Sequence, residues 1–177
     1  EVLKMATLNM QGRRLVIKNP VNTGRIPVLL EIFPNAKFIY LHRDPYDVFL
    51  STRNLHKKTL PIAQLQEISD EEVDSNILTF YAEMLKTYLD TRDLIPKRNL
   101  IEISYAELDE NPLPVMRRIY GQLNFWPFAR VRGRLRRYLG SLKGYKKNRY
   151  QLSPEDVQKV NERWGFAFDE WGYEMRK

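Results

Sequence analysis

Arg43 and Ser51 stand eight residues apart in the run His42-Arg43-Asp44-Pro45-Tyr46-Asp47-Val48-Phe49-Leu50-Ser51, and together they have the chemistry of an anion grip. A guanidinium presents a planar fork of donors that meets a phosphate bidentately. Asp44 is suited to cap a helix whose first position is Pro45. Ser51 then falls roughly two turns into that helix, where its hydroxyl adds a donor on the same side. The helix N-terminus contributes the positive end of its dipole. The competing reading is structural: Arg43 as a surface ion pair with Asp44 or Asp47.

Three other places carry suitable groups. In Leu142-Lys143-Gly144-Tyr145-Lys146-Lys147 the glycine lets a backbone N–H approach an anion closely, and Lys143 and Lys146 supply charge. Tyr105 directly follows an apolar run, where it is either a ligand platform or an ordinary aromatic covering a sheet edge. Lys18 closes another short apolar run, as an electrostatic group or as a strand-end lysine in solvent.

These residues need elements to hold them. Leu15-Val16-Ile17-Lys18, closed by Asn19-Pro20, reads as a buried strand. Residues 23–33 carry Ile26, Leu29, Leu30 and Phe33 at helical spacing, with Thr23 as N-cap. Residues 37–42 form a second strand, and a helix runs from Pro45 to about Lys58. An acidic loop (Glu67, Asp70, Glu71, Glu72 and Asp74) precedes the longest helical pattern, at 75–95. Residues 100–104 form a third strand. Helices follow from Asn111-Pro112, with Val115, Met116, Ile119 and Leu123 inward, and over 128–140 and 153–163. Alternating strands and helices predict an α/β fold with a parallel sheet flanked by helices. Ligands of such sheets bind beyond the carboxyl ends of the strands. That is where Lys18, Arg43 and Tyr105 fall.

Taken together, Val16-Ile17-Lys18, the strand over 37–42 that leads into Arg43, the Arg43-to-Ser51 step and Tyr105…Asn111-Pro112 resemble sulfotransferases that use 3′-phosphoadenosine 5′-phosphosulfate (PAPS), in the same order along the chain. The likeness is strongest over residues 13–58 and looser over 100–150. It implies a P-loop-NTPase-like sulfotransferase fold and a single sulfotransferase domain over 1–177, as the carboxy-terminal portion of that fold. It implies that Arg43 and Ser51 hold the 3′-phosphate and that Tyr105 touches the adenine. The loop with Lys143, Gly144 and Lys146 would close over the same phosphate, although Leu142 stands where many members have Arg. Lys18 would lie near the transferring sulfuryl group. The acceptor would be a small molecule, carbohydrate or lipid.

The family's 5′-phosphosulfate loop, of Lys/Arg-Ser-Gly-Thr-Thr type, has no counterpart in the sequence, and its histidine positions fall near Pro20 and Asn22. The first strand-like run comes almost at once after Glu1. The expectation is therefore that the strand-loop-helix carrying that loop, and the general base, belong to an upstream segment.

Composition narrows the alternatives. With 177 residues, 43% hydrophobic and 12% aromatic, the chain can build a core. No apolar run is long enough to cross a bilayer and no signal-peptide pattern is present. Cysteine is absent, which removes disulfides, thiolate metal sites and cysteine nucleophiles, and weights the expected compartment toward the cytoplasm. The two histidines, His42 and His56, argue against a histidine metal site. A kinase of similar fold would need a Walker-type loop that is missing. The net charge of +7 and the nine Lys or Arg in 130–149 suit polyanions, or simply a solvated helix face. A nucleic-acid module built on that stretch is disfavoured, because Leu135, Tyr138, Leu139 and Leu142 fall at helical spacing and read as core.

Overall fold

The computed structural model describes residues 2–142, 144 and 150–177. Two strands, β1 (Phe38–His42) and β2 (Leu100–Ser104), pair in parallel with Phe38 opposite Leu100 and His42 opposite Ser104. Eight α-helices are described: α1 (Val2–Asn9), α2 (Ile26–Ile32), α3 (Pro45–Ala63), α4 (Asp70–Thr91), α5 (Tyr105–Glu110), α6 (Pro112–Gln122), α7 (Ala129–Ser141) and α8 (Pro154–Trp171). The result is a mostly helical α/β arrangement around a small parallel sheet.

The sheet divides the core because side chains alternate across it. On one face Tyr40 stacks on Tyr88 of α4 at 4.0 Å and on Trp171 of α8 at 5.5 Å. Behind them lies the main core, which includes Tyr46, Phe49, Ile77, Leu85, Trp164 and Phe168. On the other face Ile101 and Ile103 of β2 meet Val115, Ile119 and Leu123 from α6 and its end. The inward positions expected for that helix are the ones buried, with Met116 partly so.

Local chemistry sets the helix boundaries. The Asp44 carboxylate accepts from the backbone N–H of Tyr46 at 2.8 Å and of Asp47 at 3.3 Å, with Pro45 at the first position of α3. Ser69 caps α4, and Asp70, Glu71 and Glu72 occupy its first turn, where the dipole favours negative charge. Ser104 caps α5. Ser153 and Asp156 form a capping box on α8, and Gly172 ends that helix with φ +67, a left-handed conformation that costs glycine least.

Several expectations are corrected. Residues 15–18 form no strand: Val16 is 92% exposed and Ile17 49%. Among the described residues no strand pairs with this run, so it gains neither ladder hydrogen bonds nor burial. Thr23 does not cap a helix. Asn19 caps a 3-10 turn over Pro20–Arg25 by accepting from the Val21 N–H at 3.2 Å, because Pro20 already pre-sets the first helical position, and α2 starts only at Ile26. The acidic stretch from Asp70 onward is helix rather than loop. The helix expected over 153–163 runs on to Trp171, bending at Trp164 (φ −120), whose indole N–H reaches the Leu78 carbonyl at 2.8 Å. The apolar stripe of α7 is not core, since no residue of that helix is buried and Tyr138 is 60% exposed.

One ion-pair cluster ties three helices. Arg53 of α3 donates from Nε and Nη2 to the two carboxylate oxygens of Asp74 on α4, both at 2.6 Å, and from Nη2 to Asp156 on α8, also at 2.6 Å. Asp74 and Asp156 are both buried.

Candidate functional site

The carboxyl ends of β1 and β2 lie side by side, so the residues just after them share one edge of the sheet. Arg43 leaves β1 and Tyr105 leaves β2. The Arg43 guanidinium carbon sits 4.6 Å from the centre of the Tyr105 ring, a cation–π contact. Arg43 also donates from Nε at 3.1 Å and Nη2 at 3.0 Å to one oxygen of Asp47, the ion-pair alternative raised by the sequence. The two roles are compatible. The pair uses one edge of the guanidinium fork, and the Arg43 side chain keeps a third of its surface exposed. Asp47 and Ser51 are four residues apart on α3 and so share a face of that helix, which brings the half-buried Ser51 to the side toward which Arg43 reaches. The N-terminus of α3 opens at the same place.

Aromatic groups flank this edge. His42 stacks on Trp171 at 5.0 Å, and its Nδ1 lies 2.9 Å from the Tyr173 hydroxyl, in a hydrogen bond. Burial lowers the His42 pKa below its ordinary 6.5, against the opposing fields of Glu102 and Glu107. Burial, then the Asp44 carboxylate, pushes the Tyr173 hydroxyl up to about 12, so it stays protonated. Following Tyr173, the chain returns over the start of α3. The Arg176 N–H donates to the Tyr46 hydroxyl at 2.8 Å, and Asn161 donates to the Arg176 carbonyl at 2.9 Å. Sequence reasoning missed this return. Its available signal was Gly172, a helix stop set between two aromatics.

The His42 environment yields a measurable consequence. The folded state binds its proton less readily than the unfolded chain, so stability is complete above about pH 6.5 and declines as pH falls through and below that value. NMR titration of the His42 ring should give a midpoint below 6.5. A midpoint at or above that value would mean burial does not govern the ring.

The other candidates are scattered. Lys18 is exposed, outside any strand, and makes no hydrogen bond or ion pair among the described residues. Gly144 is exposed with φ +96, a left-handed value suited to glycine in a tight turn. Lys143 and Lys146 lie outside the described residues. Among the described residues no group of histidines and carboxylates is placed to hold a metal ion, and no helix is long and apolar enough to cross a membrane.

Comparison with known proteins decides the family. The sulfotransferase-family profile matches residues 2–127, more than half of the chain. The chain belongs to the sulfotransferase family. Two curated members of it, the omega-hydroxy-beta-dihydromenaquinone-9 sulfotransferases of Mycobacterium bovis and Mycobacterium tuberculosis, are each 37% identical over 162 residues. That match takes in 92% of this chain and 42% of each relative, so the chain spans about two fifths of their length. Among solved structures, a sulfotransferase from Mycobacterium avium superposes with a TM-score of 0.76 at 23% identity, covering 93% of this chain and 43% of that one. The described α/β arrangement is therefore a sulfotransferase fold.

Proposed function

We propose that this chain forms the part of a PAPS-dependent sulfotransferase that grips the 3′-phosphoadenosine end of the donor. The observation that carries the reading is the Arg43–Tyr105 contact at 4.6 Å, which sets a cation and an aromatic ring side by side at adjacent strand ends. Arg43 and Ser51 would take the 3′-phosphate and Tyr105 the adenine, with Gly144 and its neighbours Lys143 and Lys146 closing over the phosphate. Lys18 would offset charge on the bridging oxygen. In the transfer itself, a new bond forms between the acceptor oxygen or nitrogen and sulfur as the sulfur–oxygen bond to the 5′-phosphate breaks. The acceptor proton passes to a base, and 3′,5′-adenosine bisphosphate leaves. Such a step depends mainly on positioning and charge stabilisation. We assign the 5′-phosphosulfate loop and the base to sequence outside these residues. The curated relatives are named for a hydroxylated dihydromenaquinone, which favours a lipophilic hydroxyl as the acceptor class here.

Calorimetric titration tests the donor reading. The chain should bind 3′,5′-adenosine bisphosphate at least about tenfold more tightly than adenosine 5′-monophosphate or ATP, since one charge-assisted phosphate contact is worth that much. Equal affinity for the three nucleotides would sink it.

A further inference from the structure

We infer that α7, with the Trp126-Pro127-Phe128 turn before it, is a docking surface for an anionic lipid membrane. This inference does not rest on the nucleotide-site reading. The first observation is charge. Residues 111 to 154 contain eleven Lys or Arg and no Asp or Glu, whereas the whole chain carries only +7, so the rest of the molecule is net negative. The basic excess is therefore local, and a local excess orients a protein on an oppositely charged surface.

The second observation is how α7 is held. None of its residues is buried. Val131, Leu135, Tyr138, Leu139 and Leu142 recur at helical spacing as one apolar stripe, in which Val131, Leu135 and Leu139 are half-buried and Tyr138 and Leu142 are 60% and 42% exposed. Arg132 and Arg136 border that stripe on one side, and Arg130, Arg134 and Arg137 on the other, all five exposed. An apolar stripe between two arginine rows is the pattern of a helix lying in the plane of a membrane interface.

The third observation is Trp126. It is 74% exposed and lies under the Arg130 guanidinium at 5.9 Å. Tryptophan favours the headgroup level, where an amphipathic ring is half in water. Phe128 meanwhile packs edge-on against Tyr120 at 5.7 Å, which fixes the turn to α6 and through it to the sheet. The anchor is thus attached to the rigid part of the molecule.

Charge complementarity selects the partner. A nucleic acid would use the same arginines but would leave the exposed Trp126, Tyr138 and Leu142 without an apolar partner. A bilayer with anionic headgroups accepts both. A lipophilic acceptor would then be met where it resides.

The test is sedimentation of the 177-residue chain with vesicles of phosphatidylcholine alone, or of phosphatidylcholine mixed with phosphatidylglycerol. Binding should require phosphatidylglycerol and weaken at high salt. Each basic residue near an anionic surface multiplies partition by about fivefold, so the triple variant Arg132→Glu, Arg134→Glu, Arg136→Glu should lose at least about 100-fold. All three side chains are exposed, and thermal melting will verify that the variant is folded. Trp126→Ala should cost about tenfold through lost interfacial burial. Tryptophan fluorescence should shift to the blue on binding, and Trp126→Ala should abolish the shift, since Trp164 is buried and Trp171 is stacked on Tyr40 and His42. No binding to either vesicle, or binding that the triple variant and Trp126→Ala leave unchanged, overturns the proposal. So does tight binding of a single-stranded oligonucleotide, lost in the triple variant, without vesicle binding, which would identify a nucleic-acid partner instead.

Discussion

Replacing Arg43 with alanine should weaken binding of 3′,5′-adenosine bisphosphate about 10- to 100-fold, because a hydrogen bond to a charged group contributes roughly 1.5–3 kcal/mol. Ser51→Ala should cost less, on the order of 1 kcal/mol, since it removes a neutral hydroxyl. Adenosine 5′-monophosphate lacks the 3′-phosphate, and its weaker binding should be nearly indifferent to both changes. The expected pattern is thus a loss confined to one ligand, read by calorimetry on three proteins with two nucleotides. The Asp47 ion pair gives the result its meaning. If Arg43 serves only that pair, both nucleotides will be affected alike or not at all, and the proposed grip fails. A half-exposed i,i+4 pair of this kind contributes about 1 kcal/mol, so Arg43→Ala should remain folded.

The largest stability loss should come from Arg53. Its guanidinium holds the buried carboxylates of Asp74 and Asp156, each at 2.6 Å. Arg53→Met keeps much of the aliphatic packing over Phe49 but removes the cation shared by two buried carboxylates, leaving Asp74 only Lys159 at 3.6 Å and Asp156 the Ser153 N–H at 3.3 Å. Breaking a buried pair by removing one partner costs about 3–5 kcal/mol. Urea denaturation should show that drop as a lower midpoint with an unchanged slope. A loss below about 1 kcal/mol would mean that water reaches the carboxylates and the cluster behaves as a surface pair. The pH dependence has a definite sign. Burial pushes the Asp156 carboxyl up, but hydrogen bonds from Arg53 and Ser153 outweigh it and leave the pKa lowered. Its contribution is therefore present above the unfolded value of about 3.9 and is lost as pH falls through the folded one. In Arg53→Met that acid decline should be shallower.

How much of this was visible beforehand depends on how local each cause is. The cap at Asp44, the strands through Tyr40 and Ile103, and the inward stripe of α6 follow from short-range spacing, and the structure has them. The apolar run 15–18 carries the same short-range signal yet forms no strand, because a strand also needs a neighbour to pair with, and spacing says nothing about that. The α7 stripe makes the same point: periodicity identifies an amphipathic helix but not what its apolar side meets. At the site, Arg43 and Tyr105 were recognisable as strand-end residues, and the pairing of β1 with β2 brings them together. The aromatic wall of Trp171 and Tyr173 was invisible, since nothing in a tail sequence says which strand end it will return to. Arg53 did leave a trace. It continues the stripe of Tyr46, Phe49 and Leu50, and an arginine on a core stripe demands buried carboxylates.

The parallel pairing of β1 with β2 also sets an order of assembly. Antiparallel neighbours can zip up from a tight turn, whereas these two strands are separated by α3 and α4 and must close a long loop first. During synthesis at about 5–20 residues per second, His42 waits for a hydrogen-bonding partner 131 residues downstream, a delay of roughly 7 to 26 s. Over that interval the end of β1 stands without its aromatic cover, while α3 and α4 can already pair. The nascent chain thus has its helical scaffold before it has its completed strand edge, and the edge is the part that a ribosome stall or a missing tail would leave unfinished.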